Sequence, residues 1–583
     1  MNTQAGRRHR HEEVAMNFLT KAQLLLHILR WRLTWAQHDL DYIEKGVANP
    51  KFISAREAVE KIRDGSVIFS SGMAANTRCS IFFWGVKDRH KRTGSPKDLT
   101  WIVVGAQGGR GRVPGTLEEL DTPGIVTRFI AGHAETVKAF LHLADEGHIE
   151  LHTLPQGTQT FLLEAQARGE QYVESRAGVG TFLDPRVGGG SYVGGAPMSE
   201  NFTTAAGEKL RYHMPKVDYA LFVAPYADAE GNLYVTNTST YTESYESALA
   251  AKRNGGTVIA SVSGIIPKDE EKIFLRTDQV DYIVVNPYSE QTGSVQQRRY
   301  WPMFTVEHDV DTHDAVERLK FANNVLKITP VRTDAEMAVG RLAASLFTKI
   351  CRKGAMVNIG VGLPEEVSRL VYEGGLHEDI VFFTETGVLG GLPAPGIFFG
   401  AAVNPQKLVT SAQIFHQAYD DLDTTVLGIL EVDSDGNVNV SKRGDKCINY
   451  VGPGGLPNLA DAARNIIFAG SWMAHAKIEV VDGQIKIEKP GLCKFKEDVS
   501  EITFSGTEAL KQGKNVYYAT HVGLFRLTEK GMLLEQVMPG IDVQRDIIEC
   551  CDMAVVLPES GKVPVVPADI VTGEGFELKW PGE

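Results

Sequence analysis

Residues 382–391 read FFTETGVLGG and set one carboxylate, Glu385, between an apolar run and a glycine-rich turn. No histidine or cysteine stands within five positions on either side, so neither a metal site nor a thiol–imidazole pair is built locally. If the apolar run is a strand, Glu385 lies at its carboxyl end, where open α/β sheets gather ligands, and Gly387, Gly390 and Gly391 let a substrate come close. A glutamate that caps a helix or stands in a partly exposed turn fits the same residues.

Other chemistries find less support. GAQGGRGR (residues 105–112) and NIGVGLP (residues 358–364) follow apolar runs, yet neither completes G-x-G-x-x-G, and no G-x-x-x-x-G-K-[ST] occurs. There is no G-x-S-x-G elbow and no H-E-x-x-H. His308 and His313, beside Asp309 and Asp311 in EHDVDTHD, lie in a polar stretch and read as a solvated face. No metal site is expected.

The elements that must position Glu385 follow from the hydrophobic pattern. Short β-branched runs such as SVIFSSG, LTWIVVG, KVDYALFVAP, GGTVIASV and VDYIVVNP alternate with helical segments, the signature of an α/β protein with largely parallel sheets. A chain of 583 residues calls for two or more domains. Its formal charge of -13 disfavours nucleic acid and anionic membrane as partners. Six cysteines give neither a disulfide framework nor a zinc-ligand spacing, which fits a reduced cytoplasm. The N-terminus is basic and then apolar, but its longest uncharged run, residues 22–29, is far too short to span a bilayer, and no small-residue cleavage site follows. It reads as an amphipathic helix packed on the body or on a neighbouring subunit.

A weak repeat divides the rest. Glu57-Ala-Val leads through a helix to Gly65, the strand SVIFS and Gly72; Glu336-Met-Ala-Val leads to Gly354, the strand AMVNI and Gly360. Farther on, Asp228-x-x-Gly231-Asn232 and Asp433-x-x-Gly436-Asn437 each read as a tight hairpin turn. The expected organisation is a helical extension (1–45) and two similar α/β halves (46–320 and 321–583), with the polar stretch 289–333 as connection.

Six collinear segments carry a family resemblance: LPQGT (154–158), GVGTFLDPRVGGG (178–190), FFTETGVLGGLPAPGIFFGAAVNP (382–405), EVDSDGNVNV (431–440), ITFSGTEAL (502–510) and PGIDVQRDI (539–547). They resemble the fused class I coenzyme A transferases, closest to the acetate/propionate and 3-oxoacid CoA-transferase group, from about residue 51 to about residue 569. The resemblance implies two similar open α/β halves fused in one chain, with Glu385 as the catalytic nucleophile. It places Gly360, Val361, Gly362, Gly400, Ala401 and Gln156 at the CoA and carbonyl site. CoA is then a substrate, held covalently as a glutamyl-CoA thioester, and no permanently bound cofactor is needed. The partners are an acyl-CoA and a small carboxylic acid, and a homo-oligomer, dimer or tetramer, is expected. Because a carboxylate is ionised at neutral pH, no general base is required. An acyl-CoA hydrolase and a non-catalytic acyl-CoA-binding protein are the alternatives. One departure stands out: HQAYDDLD places Ala418, Tyr419, Asp420 and Asp421 where the family carries a glycine-rich loop, so two carboxylates and a tyrosine are expected to reshape the acid site.

Overall fold

The computed structural model describes residues 16–109, 111 and 113–582; the basic run at 7–11 and the arginines of the GAQGGRGR loop lie outside the described residues. The first of two large sheets comprises β1 (Val67–Ser70), β2 (Leu99–Val103), β3 (Val126–Ala131), β4 (Glu150–Thr153), β5 (Tyr192–Gly195), β6 (Tyr219–Ala227), β7 (Leu233–Tyr234), β8 (Thr257–Ile265) and β9 (Tyr282–Val285). Its order is β9-β8-β6-β1-β2-β3-β4-β5, with β7 folded back on β6. Only β5 and β7 run antiparallel to their neighbours.

The second sheet comprises β10 (Met356–Ile359), β11 (Val381–Thr384), β12 (Val388–Leu389), β13 (Lys407–Leu408), β14 (Leu422–Leu427), β15 (Asn465–Ala469), β16 (Asn515–Ala519), β17 (Gly523–Thr528), β18 (Gly531–Val537) and β19 (Val555–Val556). They are ordered β13-β12-β11-β10-β14-β15-β16-β17-β18-β19. Here β11, β10, β14, β15 and β16 are mutually parallel. Every residue of β2 and of β15 is buried, as expected of parallel strands covered on both faces. In each sheet the chain builds outward on one side of its first strand and then crosses to the other, so β1 and β10 mark the points where strand order reverses and a crevice opens at the carboxyl ends.

Helices set the strands' entry. Helix α1 spans Phe18–Thr34, α2 Ala55–Glu60, α3 Gln156–Arg168, α4 Ser244–Arg253, α5 Thr312–Leu326, α6 Asp334–Ile350, α7 Ser411–Asp421 and α8 Leu456–Ala462. The glutamates that mark the repeat have a physical role: Glu57 closes a capping box with Ser54 ahead of β1, and Glu336 closes one with Thr333 ahead of β10. The paired turns match too. Asp228 Oδ1 accepts from the backbone N–H groups of Gly231 and Asn232 at 2.9 and 3.0 Å, and Asp433 Oδ1 accepts from that of Asn437 at 2.9 Å.

Two expectations change. The stretch 289–333 is more than a connection: it forms a short ribbon (Glu290–Thr292 with Val295–Gln296) and helix α5, which buries Ala315, Val316, Leu319 and Ala322 in the same core as α6. Its charged residues mask an apolar stripe at helical spacing. The segment expected as a remodelled loop, Ala418 to Asp421, is the last turn of α7. A Thr410–Gln413 capping box starts that helix, Phe415 and Ala418 face the core, and side chains in place of glycines let it run on to Asp421.

Helix α1 docks on the body through Leu24, Ile28 and Trp31, leaving Leu25, Leu26, Leu29 and Leu33 exposed. Among the described residues no helix is long and apolar enough to cross a membrane.

Candidate active site

The reversal points of both sheets open on one cavity of about 410 Å³. From the first sheet come Met73, Ala74, Ala75 and Arg78 after β1, Gly105 and Ala106 after β2, His133 and Glu135 after β3, and Gln156 after β4. From the second come Gly360 and Val361 after β10 and Glu385 after β11. Loops leaving the carboxyl ends of parallel strands in both sheets thus contribute to it.

Glu385 is the first residue of a three-residue hairpin loop between the antiparallel β11 and β12, in which Phe383 pairs with Leu389 and Thr384 with Val388. Such loops need a left-handed residue at their end, and Gly387 supplies it with φ +97° while its N–H bonds the Thr384 carbonyl at 3.0 Å. A side chain is also barred sterically at Gly387, because a methyl there would stand 1.9 Å from the Val409 carbonyl oxygen. The loop is clamped from below. Thr384 and Thr386 both donate to the Gly400 carbonyl, at 2.9 and 2.5 Å, and the Thr386 carbonyl accepts from Thr242 N–H at 3.1 Å. Thr242 lies just ahead of α4, so segments associated with both sheets hold the turn that carries Glu385.

The glutamate therefore is a turn residue, but an enclosed one. Protein atoms surround it, and its residual exposure is to the cavity. Burial pushes its carboxyl up to about 7, opposed only by its own backbone N–H. Its carboxyl is thereby shifted from the ordinary carboxylate range toward neutrality.

The backbone of a second glycine lies against this carboxylate. A methyl group on Gly455 would stand 3.0 Å from Glu385 Oε1 and 3.4 Å from Gln156 Oε1, which places the two side chains together on one surface. Gln156 opens α3, and its N–H donates to the Gly454 carbonyl at 3.0 Å while Gly454 N–H reaches the Gly132 carbonyl at 2.9 Å. These bonds, with Asn458 Nδ2 donating to Thr158 Oγ1 at 3.1 Å, tie the start of α3 to the start of α8 across the site.

Of the residues expected at the site, Glu385, Gln156, Gly360 and Val361 line the cavity. Gly362, Gly400 and Ala401 do not: Gly400 supports the Glu385 loop from behind, and Ala401 is fully buried in the core. The Gly360 N–H is taken by the Val426 carbonyl at 2.8 Å. Asp420 and Asp421 are exposed on α7, and Tyr419 is packed near Phe161 with its hydroxyl accepting from Asn458 Nδ2 at 3.3 Å, so none of the three enters the cavity. Asp311, in the EHDVDTHD stretch, caps α5 by accepting from Asp314 N–H at 2.7 Å.

Sequence reading missed several wall residues. Gly454 and Gly455 carry a legible signal, the PGG triplet ahead of α8. Arg78 does not. Its side chain is 7% exposed and bonds Glu290 Oε2 at 2.7 Å. Ala74, also on the wall, holds φ +52°, a left-handed strain that a non-glycine residue keeps only where its surroundings enforce it.

No protein-family model matches the sequence. Curated relatives do: a caffeate CoA-transferase of Acetobacterium woodii is 32% identical over 550 residues, covering 91% of this chain and 98% of the relative. The acetate CoA-transferase YdiF of Escherichia coli K12 is 30% identical over 536 residues, covering 90% and 96%. Among solved structures, the acyl-CoA transferase YdiF apoenzyme of Escherichia coli O157:H7 superposes with a TM-score of 0.78 at 27% identity, over 89% of this chain and 96% of that one. Its thioester complex with CoA superposes with a TM-score of 0.77. With its two parallel-stranded sheets closing on one cavity, this chain belongs to the CoA-transferase family.

Proposed function

We propose that the protein moves CoA between an acyl-CoA and a carboxylic acid as a class I enzyme, by a ping-pong route through a thioester on Glu385. The observation that carries this reading is the enclosed Glu385 carboxylate, held on a clamped hairpin loop against Gly455 and Gln156 at the carboxyl ends of two sheets. A Glu385 oxygen attacks the carbonyl carbon of the acyl-CoA; the C–S bond breaks, leaving an acyl-glutamyl anhydride and CoA thiolate. The thiolate attacks Cδ of Glu385, the anhydride C–O bond breaks, and the donor acid leaves as its carboxylate. The incoming acid then attacks the glutamyl-CoA thioester and runs the steps backward.

Charge and bonds balance at each step, so the exchange needs no external energy source. Holding the carboxylate beside the thioester supplies the proximity term, up to roughly 7–11 kcal/mol in well-oriented systems. Burial contributes as well, because a carboxylate stripped of water and pushed up to about 7 is more basic than one in solvent. Val361 and Gln156 flank the reacting carbonyl, with Gly360, Gly362, Gly400 and Ala401 shaping the turns behind them. The halves 46–320 and 321–583 act as a fused pair, and 1–45 is an addition to them.

Intact-mass measurement after incubation with an acyl-CoA tests the chemistry. A CoA-sized increment is expected on the wild-type chain, released by hydroxylamine and absent from Glu385→Gln. Transfer at wild-type speed by Glu385→Gln refutes the role of Glu385, and free thiol appearing in the absence of an acceptor acid marks a hydrolase instead.

A further inference from the structure

The cavity lining is of two makes. Strand-end loops supply one part of it, and segments outside both sheets supply the other: Trp31, Arg32 and the cap residue Trp35 of α1, Leu326 and Ile328 at the end of α5, and Ile397 and Phe399 of the turn that follows Pro395. The first two segments are the extension and the stretch between the halves, and α1 packs on α5. Thus two indoles and four other apolar side chains, with Arg32 beside them, share the cavity with Glu385.

This surface is built rather than incidental. Trp31 Nε1 donates to Glu290 Oε1 at 3.0 Å, and the same carboxylate accepts from Arg78 at 2.7 Å, so the helix is wired to a cavity residue. His27 lies 3.1 Å from the Ser294 carbonyl, and Gln37 Nε2 donates to Tyr288 OH at 2.8 Å. Trp31 and Trp35 meet edge to face at 5.3 Å between ring centres, and the Arg32 guanidinium covers the rings at 5.1 and 4.5 Å. Fixed in this way, the indole pair gives the cavity aromatic surface of the kind that another aromatic ring packs against. A two-carbon acyl group offers such a wall one methyl, and most of the surface would go unused.

We infer that helix α1 is the specificity wall of the acyl pocket and that Trp31 and Trp35 select carboxylic acids bearing an aromatic ring, an assignment that rests on the acyl-transfer reading above. Trp35 is the determinant to test, because Trp31 also anchors the helix.

The test compares acetyl-, hexanoyl- and 3-phenylpropenoyl-CoA as donors to one acceptor acid, using the full chain. The wild type is expected to favour the aryl donor in kcat/KM. Trp35→Ala lowers the aryl-to-acetyl ratio by about tenfold, the scale of a good aromatic contact, and Trp35→Phe restores most of it. The ratio is the readout because partial unfolding lowers both rates alike. An unchanged ratio in Trp35→Ala, or a wild-type preference for hexanoyl-CoA, overturns the inference. Calorimetric binding of 3-phenylpropenoate to wild type and Trp35→Ala separates the two readings: affinity lost in the variant upholds the wall even where no glutamyl adduct forms, and equal affinity overturns it even where one does.

Discussion

Replacing Gly455 by alanine adds one methyl directly against the Glu385 carboxylate. That methyl would sit 3.0 Å from Glu385 Oε1, 3.4 Å from Glu385 Cγ and 3.4 Å from Gln156 Oε1. The carboxylate must withdraw by a few tenths of an ångström. Displacement of a reacting group by about 1 Å costs on the order of a hundredfold in rate, so a shift of roughly half that size costs about tenfold, or about 1.4 kcal/mol of transition-state stabilisation. Folding should hardly notice. Gly455 has φ -83° and ψ -7°, which alanine adopts freely, and the weaker N-cap is offset by lower entropy of the unfolded chain, leaving a net change within about 1 kcal/mol. The assay pairs steady-state kcat/KM for CoA transfer with urea unfolding. A rate drop near tenfold with an unshifted unfolding curve is expected. Wild-type kcat/KM, or a drop that merely follows loss of folded protein, refutes the claim that Gly455 positions the carboxylate.

Two pH effects of opposite direction are also expected. Because Glu385 must be deprotonated to attack and its carboxyl is pushed up to about 7, kcat/KM should rise through an apparent midpoint near 7, with about a tenth of the plateau at pH 6; a flat profile from pH 5.5 to 8 contradicts this. Stability moves the other way. Burial raises the Glu243 carboxyl to about 7 and the Glu246 carboxyl to about 8 at the seam where they meet Ser411 and Thr410. Their acid forms suit the fold, so the stability they contribute is complete below the ordinary carboxylate range and is lost as pH rises through 7 to 8. Urea midpoints should fall between pH 6 and pH 9, and Glu243→Gln should lessen that fall; equal pH sensitivity in variant and wild type would count against it.

Much of this protein is legible locally. Alternating apolar runs and helical periods announce an α/β fold with parallel sheets, and the repeat shows because Glu57 and Glu336 do the same capping work while Asp228 and Asp433 accept from the same turn amide, that of the following asparagine. Glu385 is recognisable because strand, carboxylate and left-handed glycine occupy adjacent positions, and a hairpin is decided by neighbours. What enters the cavity is another matter. Nothing near Trp35, Leu326 or Arg78 in the chain says that they line the same cavity as Glu385, since a wall is the sum of contacts between segments far apart in the chain. The same holds for ionisation: a glutamate's type predicts a charged group, but only the atoms packed around Glu385 decide how much water it keeps, and so where its proton leaves. Periodicity and turn chemistry are properties of a stretch of chain, whereas enclosure and close approach exist only once the two sheets and the segments around them have come together.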